Sequence, residues 1–147
     1  MYMSFLLLKY RGIIFILIKP KGGNMENLNE IFKQLKELLL EFRPPLTSNT
    51  DDESHFDLWS VKDLVIEGRK RKEVYFAGLI IQKAYVGFYY MPVYAEPEIK
   101  QFFKPELLSR LKGKSCFHIH RLDPILLEQI KEALERGFVE YQQRGWV

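Results

Sequence analysis

The sequence predicts an α+β two-layer sandwich, an antiparallel sheet with terminal helices packed on one face. Three observations predict it. Apolar residues recur at helical spacing over Met25 to Phe42 and again over Leu127 to Tyr141. Between them lie three runs rich in aromatic and β-branched residues, joined by tight turn signals. A fourth strand pattern, Lys114 to His120, then runs almost directly into the last helix through Asp123-Pro124. Strands flanked by terminal amphipathic helices bury one sheet face under those helices.

In the first helix, Leu28, Ile31, Phe32, Leu35, Leu38, Leu39 and Phe42 form one apolar stripe. Glu26, Glu30, Glu37 and Glu41 lie off the stripe, with Lys33 and Lys36 among them. Arg43-Pro44-Pro45 ends the helix, because a residue preceding proline is pushed out of the helical region. Residues 46 to 54 read as a polar loop made acidic by Asp51, Asp52 and Glu53.

His55 to Glu67 reads as a strand, irregular near Lys62-Asp63, and Glu73 to Gln82 as its hairpin partner. The cations of Arg69-Lys70-Arg71-Lys72 fall between them, at the expected hairpin tip. Tyr85 to Tyr94 is the third strand, with Pro92 pointing to an edge or strand end. Two short helical pieces follow, over Glu98 to Phe103 and Pro105 to Leu111, and Gly113 stops them. The strand Lys114 to His120 comes next, and Asp123 as N-cap with Pro124 in the first turn opens the last helix. Gly137 in that helix allows close packing.

Residues 1–24 differ in composition from everything after them and contain no acid. Their apolar runs, Phe5 to Leu8 and Ile13 to Ile18, are split by Lys9 and Arg11, each costing about 2.5–3.5 kcal/mol at the centre of a bilayer. A spanning helix needs about 20 apolar residues, and a secretory signal needs a small-residue cleavage site where Lys19-Pro20-Lys21 stands. Lys21-Gly22-Gly23 is what a purine-rich bacterial ribosome-binding site spells when translated in frame, with Met25 at a matching distance. The expectation is that the protein starts at Met25 and that 1–24 is translated leader or disordered tail, outside the fold.

Of the 22 lysines and arginines, four lie in 1–24, leaving 18 against 19 acids over 25–147. The basic character of the whole chain is therefore a property of that segment and does not argue for nucleic-acid binding. One domain of this size builds its own core, so no cofactor is required for folding. Cys116 is the only cysteine and permits no internal disulfide, which fits a reducing, cytoplasmic setting.

The stretch Lys112 to Asp123 concentrates the unusual chemistry. Alternation places Cys116, His118 and His120 on one strand face and Phe117 and Ile119 on the other. A thiolate and two imidazoles suit zinc or iron, but these three positions span about 13 Å of extended chain and cannot close on one ion undistorted. A thiol enzyme centred on Cys116 lacks a recognisable oxyanion donor and a third orienting group. The plainer assignment is a structural strand.

The acidic loop with His55 and Asp57 has the oxygen ligands that hard cations take, without EF-hand spacing. The four hairpin cations fit solubility and edge protection more readily than phosphate contact. Tyr85, Phe88, Tyr89, Tyr90 and Tyr94 read mostly as core, with one face of the tyrosine-rich sheet open to a ligand or a protein partner.

Taken together, VGFYYMPVY at 86–94, LKGKSCFHIHRLD at 111–123 and GFVEYQQRGWV at 137–147 resemble the YdhG-like family of small bacterial proteins, over most of 25–147. The resemblance implies a single YdhG-like domain over 25–147 with a frataxin-like fold. It also implies a non-enzymatic cytoplasmic protein that binds iron weakly through exposed acids and delivers it to an iron-accepting protein, with no nucleic acid or membrane as partner. The matching acids here are Glu26, Glu30, Glu37 and Glu41 on the helix, with Asp51, Asp52, Glu53 and Asp57. Lys33 and Lys36 interrupt the helix acids, a departure from an acidic ridge. The candidate metal residues are Asp51, Asp52, Glu53, His55 and Asp57, with His118 and His120 ranked below them. The alternatives are a small-ligand or partner-binding module on the tyrosine-rich sheet face, and a Cys116 enzyme.

Overall fold

The computed structural model describes residues 25–147, so the expected leader at 1–24 lies outside the described residues. Helix α1, Met25–Leu40, is followed by β1, His55–Ile66, β2, Arg69–Ile81, and β3, Val86–Tyr90. Then come α2, Met91–Ala95, a 3-10 helix at Pro97–Phe102, and α3, Pro105–Leu108. Strands β4, Leu111–Lys112, and β5, Cys116–Ile119, precede the closing helix α4, Pro124–Gln143. The five strands form one antiparallel sheet in the order β1-β2-β3-β5-β4. This is the α+β class that the helical and strand periodicities predict.

The core lies between the sheet and α1 and α4. From α1 come Leu28, Ile31, Phe32, Leu35 and Leu39, the stripe seen in the sequence. Leu126, Ile130, Leu134 and Tyr141 come from α4, and Phe56, Leu58, Phe76, Leu79, Phe88, Tyr90, Phe117 and Ile119 from the sheet. Phe76 meets Phe42, Phe138 and Tyr141 with ring centroids 5.1–6.1 Å apart, which joins both helical layers to β2. The Tyr90 hydroxyl donates to Ala133 O of α4, and the Tyr141 hydroxyl to Tyr75 O of β2. Ser60 of β1 is tied to the end of the chain by its hydroxyl, which donates to Trp146 O.

The boundaries that differ from expectation do so for local reasons; the second short helix ends at Leu108, because Leu111 pairs with Phe117 as part of β4. Helix α1 ends at Leu40, and Glu41 to Arg43 continue as turns before cis peptide bonds at Arg43-Pro44 and Pro44-Pro45. Strand β2 begins at Arg69, so the four cations sit within the strand and the connection is the two residues Glu67 and Gly68. Both have positive φ, 50° and 75°, the backbone that matches the right-handed twist of paired strands. Strand β3 stops at Tyr90 because Pro92 occupies the first turn of α2, where its missing N–H costs nothing. The last strand is confined to Cys116–Ile119 and gains a two-residue partner, β4, across a turn at Gly113, φ 80°. The expected irregularity near Lys62-Asp63 is a bulge, with one extra β1 residue between the pairs Val61↔Glu73 and Leu64↔Arg71.

Candidate functional site

Two places gather the residues singled out in the sequence: the acidic loop after α1, and the sheet face that α1 and α4 leave uncovered.

In the loop Asp51 and Asp52 already have partners. Asp51 takes Lys36 through one oxygen and Arg43 through the other, at 3.0 Å. These cations hold its carboxyl below the usual aspartate range. Both also lie over the Phe56 ring, 5.0 and 5.5 Å from its centroid, so the pairing seals the edge of the core. Asp52 accepts the backbone N–H groups of Ser54 and His55 at 2.9 and 2.8 Å, a local turn that lowers its pKa and sets the start of β1.

Asp57 departs from expectation. It is 6% exposed and not a surface ligand, because its Oδ1 accepts the N–H groups of Asn49 and Thr50 at 2.8 and 3.0 Å. A carboxylate acting as an acceptor for loop amides is buried with the loop that it organises. Glu53 is exposed, and His55 is half-buried and pairs with Asp52 through its backbone N–H. An open cleft of about 580 Å³ runs between α1 and this loop, lined by both signs of charge, Lys33 and Lys36 facing Asp51, Asp52 and Glu53. Among the described residues no group of three or more His, Cys, Asp or Glu side chains is placed to hold a metal ion. Iron binding here would have to displace the partners of Asp51, Asp52 and Asp57.

The uncovered sheet face is built by alternation. Opposite the core residues of each strand stand His55, Asp57 and Trp59 of β1, Tyr75, Gly78 and Ile80 of β2, Gly87 and Tyr89 of β3, and Cys116 and His118 of β5. Trp59 packs edge-on against Tyr75, centroids 4.9 Å apart. Glycines let the rings lie down on the sheet: a Cβ at Gly78 would stand 2.1 Å from Tyr75 Oη, and one at Gly87 2.9 Å from the Tyr89 ring. Gln82 donates to Tyr89 Oη at 3.2 Å. At the far end Tyr85 stacks on His118, centroids 3.8 Å apart and planes 12° from parallel, while His120 turns its Nδ1 to Ala84 O at 3.1 Å.

Cys116 and His118 share this face, as the sequence indicates. Burial pushes the Cys116 thiol up and the His118 imidazole down, so at neutral pH one is protonated and the other neutral. The thiol is directed at Phe117 O, 4.0 Å away, and the imidazole lies against the Tyr85 ring. The rings of His118 and His120 are 6.4 Å apart, with Tyr85 against both.

Of the tyrosine set, Phe88 and Tyr90 are fully buried on the helix side. Tyr85 and Tyr89 are half-buried on the open side, and Tyr94 is 55% exposed because α2 carries it out of the sheet. Trp59 and Tyr75 belong to the same face, and the sequence holds no sign that they meet: Tyr75 reads there only as a ring beside the hairpin cations that could stack on a base. The pairing Trp59↔Tyr75 that brings them together depends on a bulge between Leu58 and Trp59.

No family model, no curated protein and no solved structure matches the chain. No helix of the described residues is long and apolar enough to cross a membrane.

Proposed function

We propose that this protein is a non-catalytic binding module whose uncovered sheet face docks a partner protein that presents a neutral, apolar-rich surface. The observation that carries it is the row Trp59, Tyr75, Tyr89 and Tyr85 on a glycine-backed sheet with no helix of 25–147 over it. Aromatic rings with few rotatable bonds are the side chains that dominate protein interfaces. The rings of the row carry no charge at neutral pH, and the nearby Asp57 is 6% exposed with its Oδ1 taken by two loop amides. A charged occupant laid on these rings would lose hydration, whereas a neutral one loses little.

The test is retention of a host protein by immobilised wild type, Trp59→Ala with Tyr89→Ala, and Ile125→Ala, which changes an exposed α4 residue away from the face. The expected result is one protein that binds wild type and Ile125→Ala equally. It binds the face variant at least about tenfold more weakly when the two purified proteins are recombined. Circular dichroism would establish that the variants are folded. Equal retention by all three, or a face variant that alters only self-association in gel filtration, overturns the proposal.

A further inference from the structure

The β1–β2 hairpin outruns the sheet. Strand β3 pairs with β2 only from Ala77 to Ile81, then turns off at Met91 into α2. The β2 residues Arg69 to Glu73 are therefore paired with β1 on one side and with no strand of the described residues on the other. All five are exposed. Such an edge presents every second N–H and C=O outward, a template for one more strand.

Natural edges are blunted by bulges, and the β1–β2 ladder carries one, with the extra residue in β1 at Lys62-Asp63, opposite Lys72. The extra residue belongs to β1, so β2 itself runs without an inserted residue from Arg69 to Glu73. What this edge has instead is charge: Arg69, Lys70, Arg71 and Lys72 in succession, two on each face of the strand. None of them is in the ion pairs of the described residues, although Glu67 and Glu73 flank them. Four adjacent cations with no ion pair among the described residues discourage a second copy of the same edge and favour an acidic strand.

We propose that the open edge of β2 from Arg69 to Glu73 is a β-augmentation site for an acidic, extended segment of a partner protein. Backbone hydrogen bonds would supply the register, and an acid opposite each of residues 69–72 the selectivity. A nucleic acid is the poorer occupant. The domain carries 18 cations against 19 acids over 25–147, and Asp63, Glu67 and Glu73 share the ribbon with the cations and would face a duplex's phosphates.

The probe is a fluorescent, end-capped peptide of a valine, a threonine and four glutamates, titrated against the protein at physiological salt. A peptide of the same charge with two interspersed prolines, which cannot form a ladder, and a 20-base-pair DNA duplex serve as comparisons. The expected result is saturable binding of the first peptide, with slowed amide exchange at Arg69 to Glu73. Binding should fall at least tenfold for the proline peptide and for Lys70→Glu with Lys72→Glu, and less steeply for the neutralising Arg69→Gln with Arg71→Gln.

Equal binding of the proline peptide, tighter binding of the duplex, or no binding by the folded protein would each overturn the proposal. Trp59→Ala should leave peptide binding unchanged, so this edge and the sheet face proposed above stand or fall separately.

Discussion

Tyr89 and Tyr90 are neighbours in β3, and each lies against a glycine, yet the two contacts do opposite work. Tyr90 points to the helices, is fully buried, and has its hydroxyl bonded to Ala133 O beside Gly137 of α4. Tyr89 points to the uncovered face, half-exposed, over Gly87 of its own strand. Where both sides of a ring are covered, the glycine fixes how close helix and sheet come. Where one side is open, the glycine makes a shelf on which the ring rests and from which it can lift. The same chemistry is a lock on one side of the sheet and an adjustable surface on the other.

Substituting the two glycines separates these roles. A Cβ at Gly137 would stand 1.8 Å from Tyr90 Oη and 2.8 Å from Pro92 Cγ, with no free space on either side. Gly137→Ala should cost about 1–3 kcal/mol in urea unfolding, the usual scale for overpacking a filled core. The three atoms nearest a Cβ at Gly87 all belong to the Tyr89 side chain, at 2.9–3.2 Å. That ring can swing toward solvent, so the cost should stay under about 1 kcal/mol, while retention of a sheet-face partner falls. A Gly87→Ala penalty as large as that of Gly137→Ala would erase the distinction.

The smallest effect belongs to the loop. Asp51→Asn removes exposed pairs with Lys36 and Arg43, worth no more than about 0.5 kcal/mol after solvent screening. Its carboxyl is held low in the folded protein, so the pairing is present at neutral pH and is lost as pH falls through the folded value. Urea midpoints of wild type and variant should thus differ slightly at neutral pH and converge in acid.

Much of this fold was legible because periodicity records burial. The α1 stripe and the alternation of Phe117 and Ile119 against Cys116 and His118 match the buried and half-buried positions. What stayed hidden depends on partners distant in sequence or on backbone. Asp57 reads as an exposed acid because its acceptors' donors are main-chain amides of Asn49 and Thr50, which leave no mark in residue identity. Arg69 to Lys72 read as a tip because a strand solvated on both faces has no apolar alternation to reveal it. Trp59 and Tyr75 meet only through a bulge, which shifts the register by one and hides their common face from any count of two.

The ties at the base of the hairpin set the order of assembly. Ser60 waits for Trp146, 86 residues later, and Tyr75 for Tyr141, 66 residues later. The hairpin leaves the ribosome long before either arrives. A two-stranded ribbon is marginal in water by itself, so until α4 is made the hairpin has only α1 and β3 to cover and extend it. Loop closure over such spans makes the final docking of α4 a late, long-range event. During that wait the four unpaired cations near its turn are the part of the ribbon best suited to keep one nascent chain from zipping to another.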